Sequence, residues 1–257
     1  MMNDLPIITT SLIDRAVQLA KDAVLLDCIG AIVGPNGSGK SVALKTILNR
    51  YASSGLDGNA LFHRACATQG HTRGVKDILF EFGIREAHVS SSNLQIACKL
   101  GLREFGGRKI RLLLIDEADT MAKDSLAGIV TLIDYCNGHG HRLGLVLAAA
   151  QPISGWLAAN TAGMSRTVRS EKADNMSVEE MLAILRTWVP GLATLISQAK
   201  EKNPDALKLA RLVHRGVGDG NFRRMSYFAG LLRQEVDVNE GSIKQVLARI
   251  ALIPSKP

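Results

Sequence analysis

Apolar positions along the chain keep two rhythms. Leu12, Ala16, Leu19, Ala20 and Ala23 recur at helical spacing, which predicts a helix over 12–25 with Thr10 or Ser11 as its cap. Cys28–Val33 is a short, mostly apolar run that reads as a buried strand, and Val42–Tyr51 returns to helical spacing. Ala60–Ala67 reads as a strand with His63 and Arg64 near one end. Thr72–Phe82 reads as a helix with Val75, Ile78, Leu79 and Phe82 on one face. Leu94–Phe105 is a further helix, stopped by Gly106 and Gly107. Ile110–Ile115 and Leu143–Ala149 lack the polar alternation of a half-exposed strand, as parallel strands buried on both faces do, and a helix over 124–135 separates them. Beyond Arg169 only helical patterns remain. Ser177-x-x-Glu180 is a capping box opening a helix to Trp188, and Pro190-Gly191 breaks it. Leu192–Lys200, Pro204–His214, Phe222–Glu235 and Ser242–Ile250 follow. Strands alternating with helices predict an α/β fold with a parallel sheet over 1–170, followed by a small all-helical domain over 171–257.

The turn between the first strand and its helix carries the strongest chemical signal. Gly34, Pro35, Asn36, Gly37, Ser38, Gly39, Lys40 and Ser41 match G-x-x-x-x-G-K-[ST], and Val42 continues into the helix. Glycines let successive backbone N–H groups converge on one anion, and the helix N-terminus adds its positive end. This pattern predicts ATP on the loop, with Lys40 at the terminal phosphates and the Ser41 hydroxyl on Mg²⁺. Leu112-Leu113-Leu114-Ile115-Asp116-Glu117 is the second signal: a buried strand delivering two carboxylates to the sheet edge where ligands bind. Asp116 is the expected Mg²⁺ partner and Glu117 the expected base for the attacking water.

Charge adds a mild bias. The net charge of +7 and pI near 9.4 are spread along the chain rather than held in a tail, which fits nucleic acid without requiring it. With aromatic residues at 4%, there is little on which single-stranded bases could stack. The four cysteines are far apart with no C-x-x-C, which argues against a zinc or disulfide framework and for buried structural thiols. No apolar run reaches the ~18 residues of a membrane helix, and the first residues lack a leader pattern, so a cytoplasmic protein without membrane contact is expected.

The order of P-loop, Walker B strand, further apolar strand, arginine pair and helical lid resembles the AAA+ class. That resemblance implies an αβα sandwich and an oligomer whose active site is shared between subunits. It further implies a sensor at Gln151 after the last apolar strand and a second sensor at Arg223 in Gly220-Asn221-Phe222-Arg223, with Arg224 as the alternative. An arginine finger is implied at Arg166, with Arg169 the second choice. LLLIDEADTM, LGLVLAAAQP and SRTVR are similar to the ATP-dependent target-selection proteins of DNA transposition, the phage Mu B and TnsC-like family, over about residues 10–235. The family implies an ATPase that assembles on double-stranded DNA as a filament or ring and recruits or stimulates a transposase. In its TnsC-like branch, loops after the second strand touch DNA, which here points to Thr72, Arg73 and Lys76. Lys99, Arg103, Arg108, Lys109 and Arg111 form a second basic group. A helicase-loader or IstB-type ATPase shares every ATP-site residue, and an ExeA-like secretion-associated ATPase is the remaining alternative.

Overall fold

A computed structural model describes residues 8–53, 58–66, 71–84, 94–153, 167–201, 203–235 and 238–252. Its contacts divide into two units. One is Ser11–Gly34 with Lys40–Ala173; the other joins the described part of Met1–Thr10 to Pro35–Gly39 and Asp174–Pro257.

The first unit is a three-layer α/β sandwich. Its elements are α1 (Ser11–Leu25), β1 (Ile29–Val33), α2 (Lys40–Ser53), β2 (Asn59–Arg64), α3 (His71–Phe80), α4 (Leu94–Gly107), β3 (Ile110–Asp116), α5 (Lys123–Gly138), β4 (Gly144–Ala149) and β5 (Val168–Lys172). The strands form one parallel sheet in the order β2-β3-β4-β1-β5. Successive side chains point to opposite faces, so the apolar strands feed two cores at once. Ile29, Ala31, Leu113, Ile115, Leu145, Leu147 and Ala149 pack with α3, α4 and α5. Ile32, Leu112, Leu114, Val146 and Ala148 pack with α1 and α2. Each fully buried Leu or Ile contributes roughly 1.5–3 kcal/mol relative to exposure, which is why the strands without polar alternation form the middle of the sheet.

The sheet differs from the sequence expectation at the end of β2 and at its edge. The strand expected over 60–67 ends at Arg64, because its partner β3 ends at Asp116, opposite Arg64; Ala65 N–H donates the last bond to the Asp116 carbonyl at 2.9 Å. Leu143–Ala149 is also not the last core strand. β5 runs parallel to β1 at the sheet edge, and Arg169 lies within it, opposite Gly30, rather than in a connection to the lid. Val-Arg-Ser-Glu-Lys hides its strand character because only Val168 packs against the core. The edge is held instead by the β1 ladder and by α1, where Arg15 Nε donates to Glu171 at 3.0 Å and Asp22 pairs with Arg169.

The second unit is helical: α6 (Val178–Trp188), α7 (Ala193–Lys200), α8 (Pro204–Gly216), α9 (Phe222–Leu232) and α10 (Glu240–Ala251). Its core gathers Met181, Leu185 and Trp188 with Val213, Phe228, Val246 and Ile250. Side-chain caps start several of its helices. Ser177 and Glu180 form the expected capping box. Asn203 caps α8 ahead of Pro204, and Asn221 accepts from Arg224 N–H to open α9. α9 stops at Leu232, three residues before the expected end at Glu235.

No helix among the described residues is long and apolar enough to cross a membrane. All four thiols are free. Cys28, Cys98 and Cys136 are buried, and burial pushes Cys98 up to about 11 and Cys136 to about 12, so they are inert packing groups at neutral pH.

Candidate nucleotide site

β1 is flanked by β4 and β5 and ends at Val33, where the chain leaves the sheet. Gly34 N–H donates to the Ala149 carbonyl at 3.2 Å, and the Val33 carbonyl accepts from Ala173 N–H at 2.8 Å, so the start of the loop is pinned from both neighbouring strands. A Cβ on Gly34 would lie 2.0 Å from the Ala173 carbonyl oxygen, so only glycine fits there. The loop turns through Gly37 and Gly39, both at positive φ, and Lys40 begins α2. Val42 follows in its first turn, half-buried.

Lys40 is 9% exposed, and its Nζ donates to the Gly34 carbonyl at 2.6 Å, reaching back across the base of the loop. Ser38 is 4% exposed, and its buried hydroxyl has no hydrogen-bond partner. A buried ammonium and an orphaned buried hydroxyl in one loop of glycine-bent backbone are a donor set that suits a polyphosphate anion. Ser41 is exposed at the start of α2.

Asp116 ends β3 and is 5% exposed; its Oδ1 accepts from Glu117 N–H at 3.0 Å. Glu117 leaves the sheet in the left-handed region, φ 56° and ψ 37°, which turns its side chain off the strand. There its carboxylate meets Arg64 at the end of β2: Nη2 donates to Oε1 at 2.6 Å and Nε to Oε2 at 3.1 Å. The two hydrogen bonds, followed by the carboxylate charge, raise the Arg64 guanidinium above its ordinary range. Both oxygens of the carboxylate are engaged by this fork. Sequence patterns placed Arg64 only near a strand end. The informative signal was the parallel register of β2 and β3, which sets Arg64 opposite Asp116 and within reach of Glu117.

β4 pairs with both β1 and β3, so its C-terminal end lies between the phosphate loop and the acidic pair along the sheet edge. Gln151 follows it, exposed, two residues beyond Ala149. Asp119, in the turn after Glu117, accepts from Ala150 N–H at 3.1 Å and so ties that turn to the backbone carrying Gln151. Arg223 is exposed in the first turn of α9, with Arg224 half-buried beside it. Arg166 lies outside the described residues. Arg169 is engaged within its own chain by Asp22.

The basic groups differ in how far they are neutralised. In α3, Arg73 pairs with Asp77 at 3.0 Å; Thr72 and Lys76 are half-buried on the same helix. Lys99 is exposed on α4, and Arg103 and Arg108 both pair with Glu104. Lys109 is exposed and Arg111 half-buried at the start of β3, and Arg111 Nη1 donates to the carbonyl of the exposed Arg142 at 3.4 Å.

A five-stranded parallel sheet sandwiched by helices, with a lysine-bearing phosphate loop after β1 and an acidic pair after β3, defines a P-loop protein of the AAA+ class. The chain belongs to the AAA domain family, whose profile matches residues 27–157. The ORC2 protein of Aeropyrum pernix in its ADP form has a similar fold at 15% identity and TM-score 0.64, over 96% of this chain and 70% of that one. ORC1 of the same organism, solved in complex with DNA, aligns at 15% identity and TM-score 0.60 over 96% and 67%. Domain III of the Thermotoga maritima replication initiation protein DnaA aligns at 14% identity and TM-score 0.57 over 96% and 95%. No curated protein sequence matches the chain.

Proposed function

We propose that the chain is an ATP-hydrolysing, duplex-DNA-binding ATPase that works as a homo-oligomeric ring or filament and regulates target selection in DNA transposition by recruiting or stimulating a transposase. The observation that carries the ATP part is the buried Lys40 and orphaned Ser38 hydroxyl in a complete phosphate loop. Residues 34–42 hold the nucleotide, Glu117 activates water, and Gln151 and Arg223 sense the γ-phosphate. Mg²⁺ would be held by the Ser41 hydroxyl and, through its water shell, by Asp116. Mg²⁺ supplies charge neutralisation of the phosphates when bound. Arg166 is the finger reaching a neighbouring subunit's nucleotide; the in-chain pairing of Arg169 with Asp22 favours Arg166 over Arg169 for that role.

The pairing of Glu117 with Arg64 supports a resting state in which the base is withheld until the pair opens. Exposed pairs of this kind are worth about 0.2–1 kcal/mol, small enough for assembly to open. Arg64→Ala therefore raises ATP turnover without DNA several-fold and shrinks the stimulation by DNA. Steady-state phosphate release with and without duplex checks this; unchanged basal turnover would remove the resting-state assignment.

DNA contact is proposed through Thr72, Arg73 and Lys76, with Lys109 and Arg111 as the second surface. Each subunit neutralises only a few phosphates, so affinity comes from adding subunits along the duplex, and binding is cooperative, ATP-dependent and steeply salt-sensitive. Fluorescence anisotropy with a labelled duplex tests this at several salt concentrations. Arg73→Ala with Lys76→Ala, or Lys109→Ala with Arg111→Ala, lowers affinity equally for unrelated sequences and flattens the salt slope. Equal affinity with and without ATP, or no binding at low salt, would overturn the DNA assignment. Stimulation of a replicative helicase instead of a transposase would favour the helicase-loader or IstB-type reading.

A further inference from the structure

The apex of the phosphate loop, Pro35–Gly39, groups with the helical unit, and Asn221 and Phe222 there bond to it. Asn221 Nδ2 donates to the Asn36 carbonyl at 2.8 Å, and Phe222 N–H donates to the Gly37 carbonyl at 2.7 Å. The same Asn221 accepts from Arg224 N–H at 3.2 Å through Oδ1, so one amide both caps α9 and grips the loop. The approach is tight: a Cβ on Gly37, at φ +84°, would sit 2.4 Å from the Asn221 amide atoms. The segment itself is braced. Met176 N–H donates to the Gly220 carbonyl at 3.1 Å, His214 Nε2 meets the Met176 carbonyl at 2.8 Å, and Asn175 Nδ2 donates to the Gly218 carbonyl at 3.4 Å.

We infer that Asn221 is a positioning residue for the nucleotide loop, and that through it the start of α9 sets the affinity of the site for a nucleoside diphosphate; the inference rests on the ATP-binding reading above. The physical reason lies in the peptide plane. In a planar trans peptide the C=O and the next N–H point in opposite directions. Holding the Asn36 and Gly37 carbonyls on α9 therefore turns the N–H groups of Gly37 and Ser38 away from it, toward the side where a phosphate is bound. The Ser38 N–H meanwhile closes a long turn bond onto the Pro35 carbonyl at 3.3 Å, one that a phosphate oxygen can replace. Without the two lid bonds these peptides are free to rotate, and binding must then order them.

Asn221→Asp separates the two jobs of this side chain. Aspartate caps a helix as well as asparagine, so α9 keeps its start, but it has no N–H to donate and sets a carboxylate against the Asn36 carbonyl. The probe is a fluorescent ADP analogue, which lacks the γ-phosphate and so leaves Arg223 out of the reading. The expected result is a rise in Kd of about tenfold, the scale of one net hydrogen bond, with the thermal midpoint of the nucleotide-free protein kept. Asn221→Ser, which keeps a cap but is too short to reach Asn36, behaves alike and decides the matter where the aspartate variant does not fold. In hydrogen exchange, ADP slows the amides of residues 222–225 in the wild type and fails to do so in Asn221→Asp. Wild-type Kd in a folded variant overturns the inference while leaving the site intact. Failure of the wild type itself to bind the analogue, or binding that Lys40→Ala does not weaken, overturns the ATP reading instead.

Discussion

Replacing Glu117 by glutamine slows ATP turnover by about 10²–10⁴-fold while ATP and Mg²⁺ still bind. The substitution keeps the size and the left-handed start of the turn after β3 and removes only the carboxylate proposed to accept the water proton. Asp116, buried at the strand end, and the phosphate loop after β1 are untouched, so Kd for ATP stays near its wild-type value. The variant also loses its charge toward Arg64, so the resting pair weakens and the turn is freer to move. Because the base is gone, that freedom raises nothing. Rapid-quench hydrolysis beside equilibrium ATP binding separates the two quantities. Wild-type turnover in Glu117→Gln would assign the base elsewhere.

Lys40→Ala has the opposite signature. Lys40 is the buried cation of the loop, and its Nζ reaches the Gly34 carbonyl within the same turn. A charge-assisted bond to phosphate is worth about 1.5–3 kcal/mol, so its loss weakens ATP binding by about 10–100-fold. Burying an ammonium costs desolvation in the free protein, so the thermal midpoint without nucleotide holds or rises. ADP, which raises the wild-type midpoint by mass action, leaves that of Lys40→Ala almost unmoved. Thermal scans across an ADP titration read both effects. A lowered midpoint with normal ADP stabilisation would make Lys40 a packing residue rather than a phosphate ligand.

The parts of the fold legible in the sequence are those where one local pattern sufficed. Leu112–Ile115 and Leu145–Ala148 are buried on both faces, so their uninterrupted apolar runs announced parallel strands. Ser177 with Glu180 announced a helix start, because a cap is a contact between near neighbours in the chain. β5 was not legible, since its strand character lies in a ladder to β1 and ion pairs to Arg15 and Asp22, far away in sequence. The loop and the acidic pair carry spaced motifs and were visible at once. Arg64 was not, because its role depends on a register between β2 and β3 that no motif encodes. Asn221 stood in plain view inside Gly220-Asn221-Phe222-Arg223, but its grip on the Asn36 carbonyl spans 185 positions and no spacing foretells it.

In the proposed function, ATP assembles this chain on duplex DNA. Electron microscopy of Glu117→Gln with ATP, Mg²⁺ and a duplex of several hundred base pairs tests it most directly, since that variant holds the nucleotide without consuming it. The account predicts continuous rings or filaments along the duplex that vanish with ADP, with Lys40→Ala, or at raised salt. Bare duplex in the presence of ATP, or the same protein coverage with and without nucleotide, would contradict it.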